Sequence, residues 1–516
     1  MTDPLSAGEP VGCLAQARGG VHIRSRRILR AGAAVTAIIV AAAAAQGQDQ
    51  IPAAARTRTP GQARSPIEHI VFIAKENRSF DHYFGAMPDP GNDLEQSTTA
   101  SCYQKSNPSV VDTFTMPAAP DPMPQDVSHA NSTFYAAYHN GKMDGFCHEK
   151  GAHVQSTGAD IADTQMQSGE IPNYWAYAKA YGIGDEMFAS WRGASFANNV
   201  FAVAAQTGRY STLLNRRAIF GNPVDPVKGS QTWGCSNSAD TTVTMIDLQG
   251  ALSSVYPCFG FESMPDLMDR YGVTWRYYSS PGSHFVHTGI SAIQSIRCAQ
   301  GDTPPCEQPN PYWDNHVHDA NDFLTDAAAG TLPNVSWYLA KQTEHPPKTA
   351  CKGENATVKA INSVMKGTDW RSTAIVVWWD EWGGFYDHVR PPTADGVDGT
   401  VTGLNALISY GFRVPLLVIS PWSRSGPLAD GGYASHDFYS HASFARFVEW
   451  AFDLPTLGAA DDLSKYSAAE PTPGDLTDFF DFSSTTPPKG KMVLPQRTCP
   501  TLTAAQRTYV RTMDDD

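Results

Sequence analysis

The stretch Ile70-Val71-Phe72-Ile73-Ala74-Lys75-Glu76-Asn77-Arg78-Ser79-Phe80-Asp81-His82-Tyr83-Phe84-Gly85 decides the fold class. Its first five residues form a continuous apolar run, which predicts a strand buried on both faces. Directly after it stand a carboxylate and a carboxamide, Glu76 and Asn77, both hard oxygen donors. In open α/β sheets, ligands bind beyond the carboxyl ends of the strands. The arrangement returns at Thr373-Ala374-Ile375-Val376-Val377-Trp378-Trp379, a β-branched and aromatic run that ends in Asp380-Glu381. If the two strands lie side by side, three carboxylates and an amide converge on one point. Such charges repel one another unless a cation neutralises them, so the pattern implies a divalent metal. Each piece alone has a plainer reading: Asn77 as the N-cap of a following helix, and Asp380-Glu381 as a solvated turn. Recurrence of the pattern at two strand ends favours a shared site.

Working outward, Val273-Thr274-Trp275-Arg276-Tyr277-Tyr278, Asn334-Val335-Ser336-Trp337-Tyr338-Leu339 and Val414-Pro415-Leu416-Leu417-Val418-Ile419 also read as strands. Near-continuous apolar runs with helical segments between them predict a largely parallel central sheet with helices on both faces. Phe196 to Gln206 and Ser440 to Phe452 carry apolar residues at three- and four-residue steps and read as helices. The Pro-rich segment from Ala86 to Ser128 reads as a long ordered loop. After the third strand comes Glu344-His345-Pro346-Pro347, a polar cluster at the same expected sheet edge. Histidine exchanges a proton most readily near neutral pH, although one beside a turn is more often structural.

The 516 residues contain no interior linker, repeat or low-complexity tract, which fits one large α/β domain with long loops. Ser25-Arg26-Arg27-Ile28-Leu29-Arg30 precedes a weakly apolar stretch from Ala31 to Ala45. A basic region, a short apolar region and a small-residue exit describe an export signal, and the paired arginines resemble the twin-arginine type. The apolar stretch is shorter than the roughly 20 residues that span a bilayer. The expected organisation is therefore an export signal over 1–45, a flexible segment over 46–65, a catalytic domain over 66–482 and an extension over 483–516. Export implies a secreted, periplasmic or envelope location, with no stable membrane span once the signal is removed. Arg18, Arg24, Arg26, Arg27 and Arg30 against Asp3 and Glu9 make the first 45 residues net +3, so the formal −14 of the whole chain becomes −17 without them. So acidic a chain is a poor partner for nucleic acid, whose affinity rests on Lys and Arg meeting phosphates. Eight cysteines remain beyond Cys13, an even number that suggests disulfides in an exported protein. Of 105 possible pairings, Cys298 with Cys306 closes the shortest loop.

For a nucleophile, Trp191-Arg192-Gly193-Ala194-Ser195-Phe196-Ala197-Asn198-Asn199 offers a serine at an expected helix start. Free N–H groups and the positive dipole end there suit an anionic phosphate. Ser195 reads equally as a plain N-cap. The serine-hydrolase elbow Gly-x-Ser-x-Gly is missing, since Ala197 holds its last position, though His345 and Asp387 keep a Ser-His-Asp arrangement open.

The long motifs Glu76 to Gly85, Gly141-Lys142-Met143-Asp144-Gly145-Phe146, and Trp379-Asp380-Glu381-Trp382-Gly383-Gly384-Phe385-Tyr386-Asp387-His388-Val389 with Pro391-Pro392 resemble the secreted phosphoesterase family. That family holds bacterial phospholipases C and acid phosphatases on an alkaline-phosphatase-like α/β fold. The resemblance, from about Ile67 to Phe452, implies that Glu76, Asn77, Asp380 and Glu381 are metal ligands, for an ion of unknown identity and number. It implies that Ser195 is the nucleophile of a phosphoserine mechanism, with His129 and His345 binding phosphate and moving protons. The implied substrate is a phosphate ester, either a phospholipid head group or a small soluble monoester. A binding protein with an inactive site is the reading from another class. Trp382 and Ala197-Asn198-Asn199 depart from the commoner family pattern.

Overall fold

The apolar runs form the middle of an eight-stranded sheet. The structure is a computed structural model. It describes residues 59–507 apart from 194, 209–216, 227–233, 248, 280–287, 307–309, 393–409, 429–430, 459–471 and 505. The expected export signal lies outside the described residues.

In chain order the strands are β1 (His69–Lys75), β2 (Thr99–Gln104), β3 (Asn107–Thr115), β4 (Gly182–Gly184), β5 (Arg217–Ile219), β6 (Val243–Asp247) and β7 (Leu252–Val255). They continue with β8 (Trp275–Ser279), β9 (Val317–Asp319), β10 (Val335–Leu339), β11 (Thr373–Trp379), β12 (Leu416–Ile419) and β13 (Tyr433–Ser435). The main sheet has the order β13-β4-β12-β11-β1-β10-β8-β9. β1 pairs in parallel with β10 on one side and β11 on the other. β12 is antiparallel to both of its neighbours, so it alone runs against the rest. Burial explains the centre: all seven residues of β11 and all five of β10 are buried.

Side-chain alternation shows both faces covered. Phe72 and its register partner Trp337 point to one face, where Phe444 of the helix Ser443–Ala451 packs 5.1 Å from Phe72. Tyr338 points to the other face, where Phe323 of the helix Ala320–Ala329 lies 4.5 Å away. The expected sheet, with helices on both faces, is thus the observed one.

Two expectations need correction. The segment from Ala86 to Ser128 is not only loop, because it contains the antiparallel hairpin β2–β3. Almost every side chain of β3 is exposed, so the apolar alternation that announces a strand is missing. β12, foreseen as one more parallel strand, is the reversed one. The eight cysteines form four disulfides: Cys102–Cys147, Cys235–Cys258, Cys298–Cys306 and Cys351–Cys499. The last ties the C-terminal segment to the helix Ala350–Lys366, where Arg497 Nε also meets buried Glu354 at 2.8 Å.

Candidate active site

Because β1, β10 and β11 are parallel neighbours, the residues that follow them leave from one edge of the sheet. Lys75 is in register with Trp379, which sets Glu76 beside Asp380. Hydrogen bonds lock the two exits together: Asp380 N donates to Lys75 O at 3.2 Å, and Arg78 N donates to Glu381 O at 3.0 Å. Glu381 N caps Asp380 Oδ1 at 2.9 Å, and Gly383 N donates to Glu381 Oε2 at 2.7 Å. Gly383 has a φ of +67°, and a Cβ there would stand 2.4 Å from Asn77 O, so only glycine lets the loops approach this closely.

Glu76, Asn77, Asp380 and Glu381 are all buried. Burial, then the charge of Glu76, pushes the Asp380 carboxyl well above its ordinary range. Burial, then the charges of Asp380, Asp126 and Glu76, does the same to Glu381. Asn77 Oδ1, Asp380 Oδ2 and Glu381 Oε1 accept no hydrogen bond among the described residues. A buried ionised oxygen without a partner is costly, and a cation relieves that cost. The donor set is all oxygen, which suits a hard divalent ion. These residues therefore fit a metal site.

Ser195 opens the helix Ser195–Ala204, and its hydroxyl lies near enough to Asp380 to favour the ionised carboxylate. It is not merely a helix cap, since it stands beside the carboxylate cluster. β4 runs parallel to β1, so the chain leaving it reaches the same sheet edge before the helix starts. Asn198 braces the turn ahead of the serine: its Oδ1 accepts from Trp191 N at 2.7 Å, and its Nδ2 donates to Trp191 O and Gly193 O at 3.2 Å each.

His129 Nδ1 donates to Val127 O at 2.8 Å, which leaves Nε2 as an acceptor for Asn77 Nδ2 at 3.2 Å. The same Nε2 lies 3.7 Å from Glu381 Oε1. His345 Nδ1 donates to Pro346 O at 2.8 Å, and its ring stands 5.4 Å from that of His129, edge to face. Burial holds His345 below its ordinary value. Asp126, His129 and His345 bring one donor atom each within 4.8 Å of one another. The structure thus assembles Glu76, Asn77, Asp380 and Glu381 with Ser195 on one side and His129 with His345 on the other.

The polar cluster after β10 divides. His345 joins the site, whereas Glu344 turns inward to an ion pair with buried Lys75 at 3.0 Å and to the Tyr83 hydroxyl at 2.8 Å. A Ser-His-Asp triad with Asp387 is not formed. Asp387 receives Arg413 Nε at 2.9 Å and Asp81 N at 3.1 Å, while the His345 Nδ1 is committed to Pro346. Sequence reasoning missed Asp126 as a member of the site, although it lies three residues before His129. It also missed Arg413, which no local pattern connects to Asp81 or Asp387.

Comparison with known proteins places the chain in a family. The model of the phosphoesterase family matches residues 67–455. Phospholipase C A of Mycobacterium tuberculosis is 26% identical over 455 residues, covering 82% of this chain and 78% of that protein. The non-hemolytic phospholipase C of Pseudomonas aeruginosa is 27% identical over 456 residues, covering 81% of this chain and 58% of that longer protein. A solved member of the alkaline phosphatase superfamily from Vibrio parahaemolyticus aligns over 58% of this chain and 64% of its own, at 14% identity and a TM-score of 0.28, a likeness too slight to argue from. With the family match spanning most of its length, this chain belongs to the phosphoesterase family and is a phosphoester-hydrolysing enzyme.

Proposed function

We propose that the protein is an exported, metal-dependent phosphoesterase of the phospholipase C type, with Ser195 as its nucleophile. The observation that carries this reading is Ser195 at the start of a helix, its hydroxyl beside Asp380 of the buried carboxylate cluster. Glu76, Asn77, Asp380 and Glu381 would hold the ion. When bound, a divalent cation supplies positive charge that offsets the carboxylates and favours ionisation of a nearby hydroxyl.

The chain's own groups account for the remaining chemistry. Ser195 Oγ attacks phosphorus in line, a phosphoserine forms, and the bond to the leaving alcohol breaks. The bare Nε2 of a neutral histidine takes the serine proton and returns it to the departing oxygen. Water then attacks the phosphoserine, gives its proton to the same histidine and restores Ser195. His345 is suited to this role because its Nδ1 is tied to a backbone carbonyl, which fixes the tautomer with Nε2 as acceptor. His129 has the same tautomer, but its Nε2 accepts from Asn77 Nδ2 and takes a proton only by giving up that bond. Four disulfides support export, since such bonds persist in oxidising compartments.

The phospholipase C relatives support a diester, which keeps its head group on phosphorus while the lipid alcohol leaves, over a simple monoester. The test is hydrolysis of p-nitrophenylphosphorylcholine and p-nitrophenyl phosphate, each with and without chelator. Chelator-sensitive turnover of the choline diester is expected. Preference for the monoester would make the protein an acid phosphatase, and chelator-insensitive turnover would remove the metal from the account.

A further inference from the structure

One residue touches all three strand exits, and the chemistry proposed above does not use it. Lys75 closes β1 directly before Glu76. Its carbonyl accepts from Asp380 N at 3.2 Å, which holds the exit of β11. Its side chain reaches the other way, to Glu344 Oε1 at 3.0 Å, and Glu344 is the residue before His345. The same Nζ donates to Gly353 O at 3.2 Å, in the helix Ala350–Lys366.

The pair is shut off from water, with side chains 1% and 0% exposed. The Tyr83 hydroxyl, from the helix Phe80–Phe84 that follows Asn77, donates to Glu344 Oε2 at 2.8 Å. The Tyr174 hydroxyl, from the helix Pro172–Ala180, donates to Oε1. Burial, then the charge of Glu344, holds both phenols well above their ordinary range, so both remain donors. A Cβ on Gly353 would stand 2.1 Å from Glu344 Cγ, so the helix lies directly against the carboxylate stem. Both oxygens of Glu344 are thus occupied and its stem is packed, and the chain reaches His345 from a fixed point. Stability alone is a poor reason for such a pair. Two charges lose their water when buried, and apolar residues of similar volume often do as well or better.

We propose that Lys75 and Glu344 are positioning residues for phosphoryl transfer. They form a brace that sets Glu76 and Asp380, on one side, at a fixed separation from His345 on the other. The inference rests on the serine mechanism proposed above, in which His345 moves the proton. Neither residue touches the reacting atoms; each acts through the backbone of its neighbour, 75 to 76 and 344 to 345. The leverage is large because rate depends steeply on attack geometry, and a misplacement of about 1 Å costs on the order of 10²-fold.

The test is steady-state hydrolysis of p-nitrophenylphosphorylcholine by wild type, Lys75→Met, Glu344→Gln and the double variant. Each is assayed well below its own melting temperature, so that a purely structural loss does not enter the rate. Each single variant should lower kcat by roughly 10- to 100-fold, with KM changed by less than about threefold. The double variant should lose no more than the worse single one, because one brace can be removed only once. Variants with a lowered Tm and wild-type kcat would overturn the proposal, leaving the pair purely structural. Single losses that multiply in the double variant would also overturn it, by making the two effects unrelated. Should a single variant fail to fold, Tyr174→Phe decides, since it keeps the ion pair and removes one hydrogen bond to Glu344. A kcat lowered roughly 3- to 10-fold at unchanged KM supports the brace, and a wild-type kcat refutes it. Wild type without turnover would remove the serine mechanism and the brace with it, whereas active wild type with equally active variants removes the brace alone.

Discussion

Two clusters of buried acids flank the exits of β1 and β11, and they are neutralised differently. In one, Asp81 and Asp387 share Arg413: its Nη2 lies 3.2 Å from Asp81 Oδ1 and its Nε 2.9 Å from Asp387 Oδ1, all fully buried. His388 closes this cluster, with Nδ1 2.5 Å from Asp81 Oδ2 and Nε2 2.9 Å from Glu95. In the other, Asp380 and Glu381 stand beside Glu76, and Asp380 Oδ2 and Glu381 Oε1 have no hydrogen-bond donor among the described residues. The first cluster is a finished structural joint made from the chain's own cations. On the proposed reading the second has the same chemistry with the cation left to come from outside, and that difference is what makes it the candidate for function. The same distinction explains why Asp387, despite its place in the Gly383 to Val389 motif, is not a partner for His345.

The comparison can be broken first at the metal cluster. Asp380→Asn removes a charge from the proposed ion site beside Ser195. It should cut kcat by at least ~10³-fold, about 4 kcal/mol of barrier, and lower the metal content seen by elemental analysis, with little loss of fold. Normal turnover with unchanged metal would show that the cluster needs no outside cation.

The joint should fail in the opposite way. Arg413→Met leaves Asp81 and Asp387 buried without their counter-charge, which should cost about 3–5 kcal/mol in urea unfolding. A loss below about 1 kcal/mol would mean that the pair stays neutral and that the contrast is false. Between the two lies Gly383, where the loops touch. Gly383→Ala forces a side chain into left-handed backbone and against Asn77 O, at a cost of about 2–3 kcal/mol. It should also displace Asn77 from Glu381, so rescue of its activity by excess divalent ion is the outcome to look for; activity equal to wild type without rescue would show that the close approach is dispensable.

The smallest effect sharpens the joint through pH. Burial alone would lower the His388 pKa, but the Asp81 hydrogen bond and the Asp81 and Asp387 charges outweigh it and raise it to about 9 from 6.5. The folded state therefore holds this proton more tightly. Its contribution is fully present below pH 6.5 and fades as pH rises through 9. A value of ~2 kcal/mol allows for partial exposure. His388→Gln should flatten that part of the stability–pH curve, and an unchanged slope between those values would remove His388 from the joint.

Much of this was legible in the sequence because the decisive strands are buried on both faces. Ile70 to Ala74 and Thr373 to Trp379 announce themselves as continuous apolar runs, and the polar residues after each fall at the same sheet edge once the strands pair. Ser195 was legible only as a serine at a helix start, and its place beside Asp380 required the fold. The hairpin β2–β3 was hidden because its side chains face solvent, and β4, β9 and β13 because three residues carry no period. Arg413 lies 332 residues from Asp81, and nothing local to either residue records that meeting. Disulfide pairing was legible only at Cys298–Cys306, the shortest loop.

The most direct test of the central claim is to quench the enzyme with acid during turnover of p-nitrophenylphosphorylcholine and map the phosphorylated peptide by mass spectrometry. The account predicts phosphate, or phosphorylcholine, covalently on Ser195, and none in the Asp380→Asn variant. A modified histidine, or a burst of product with Ser195 unmodified, would contradict it.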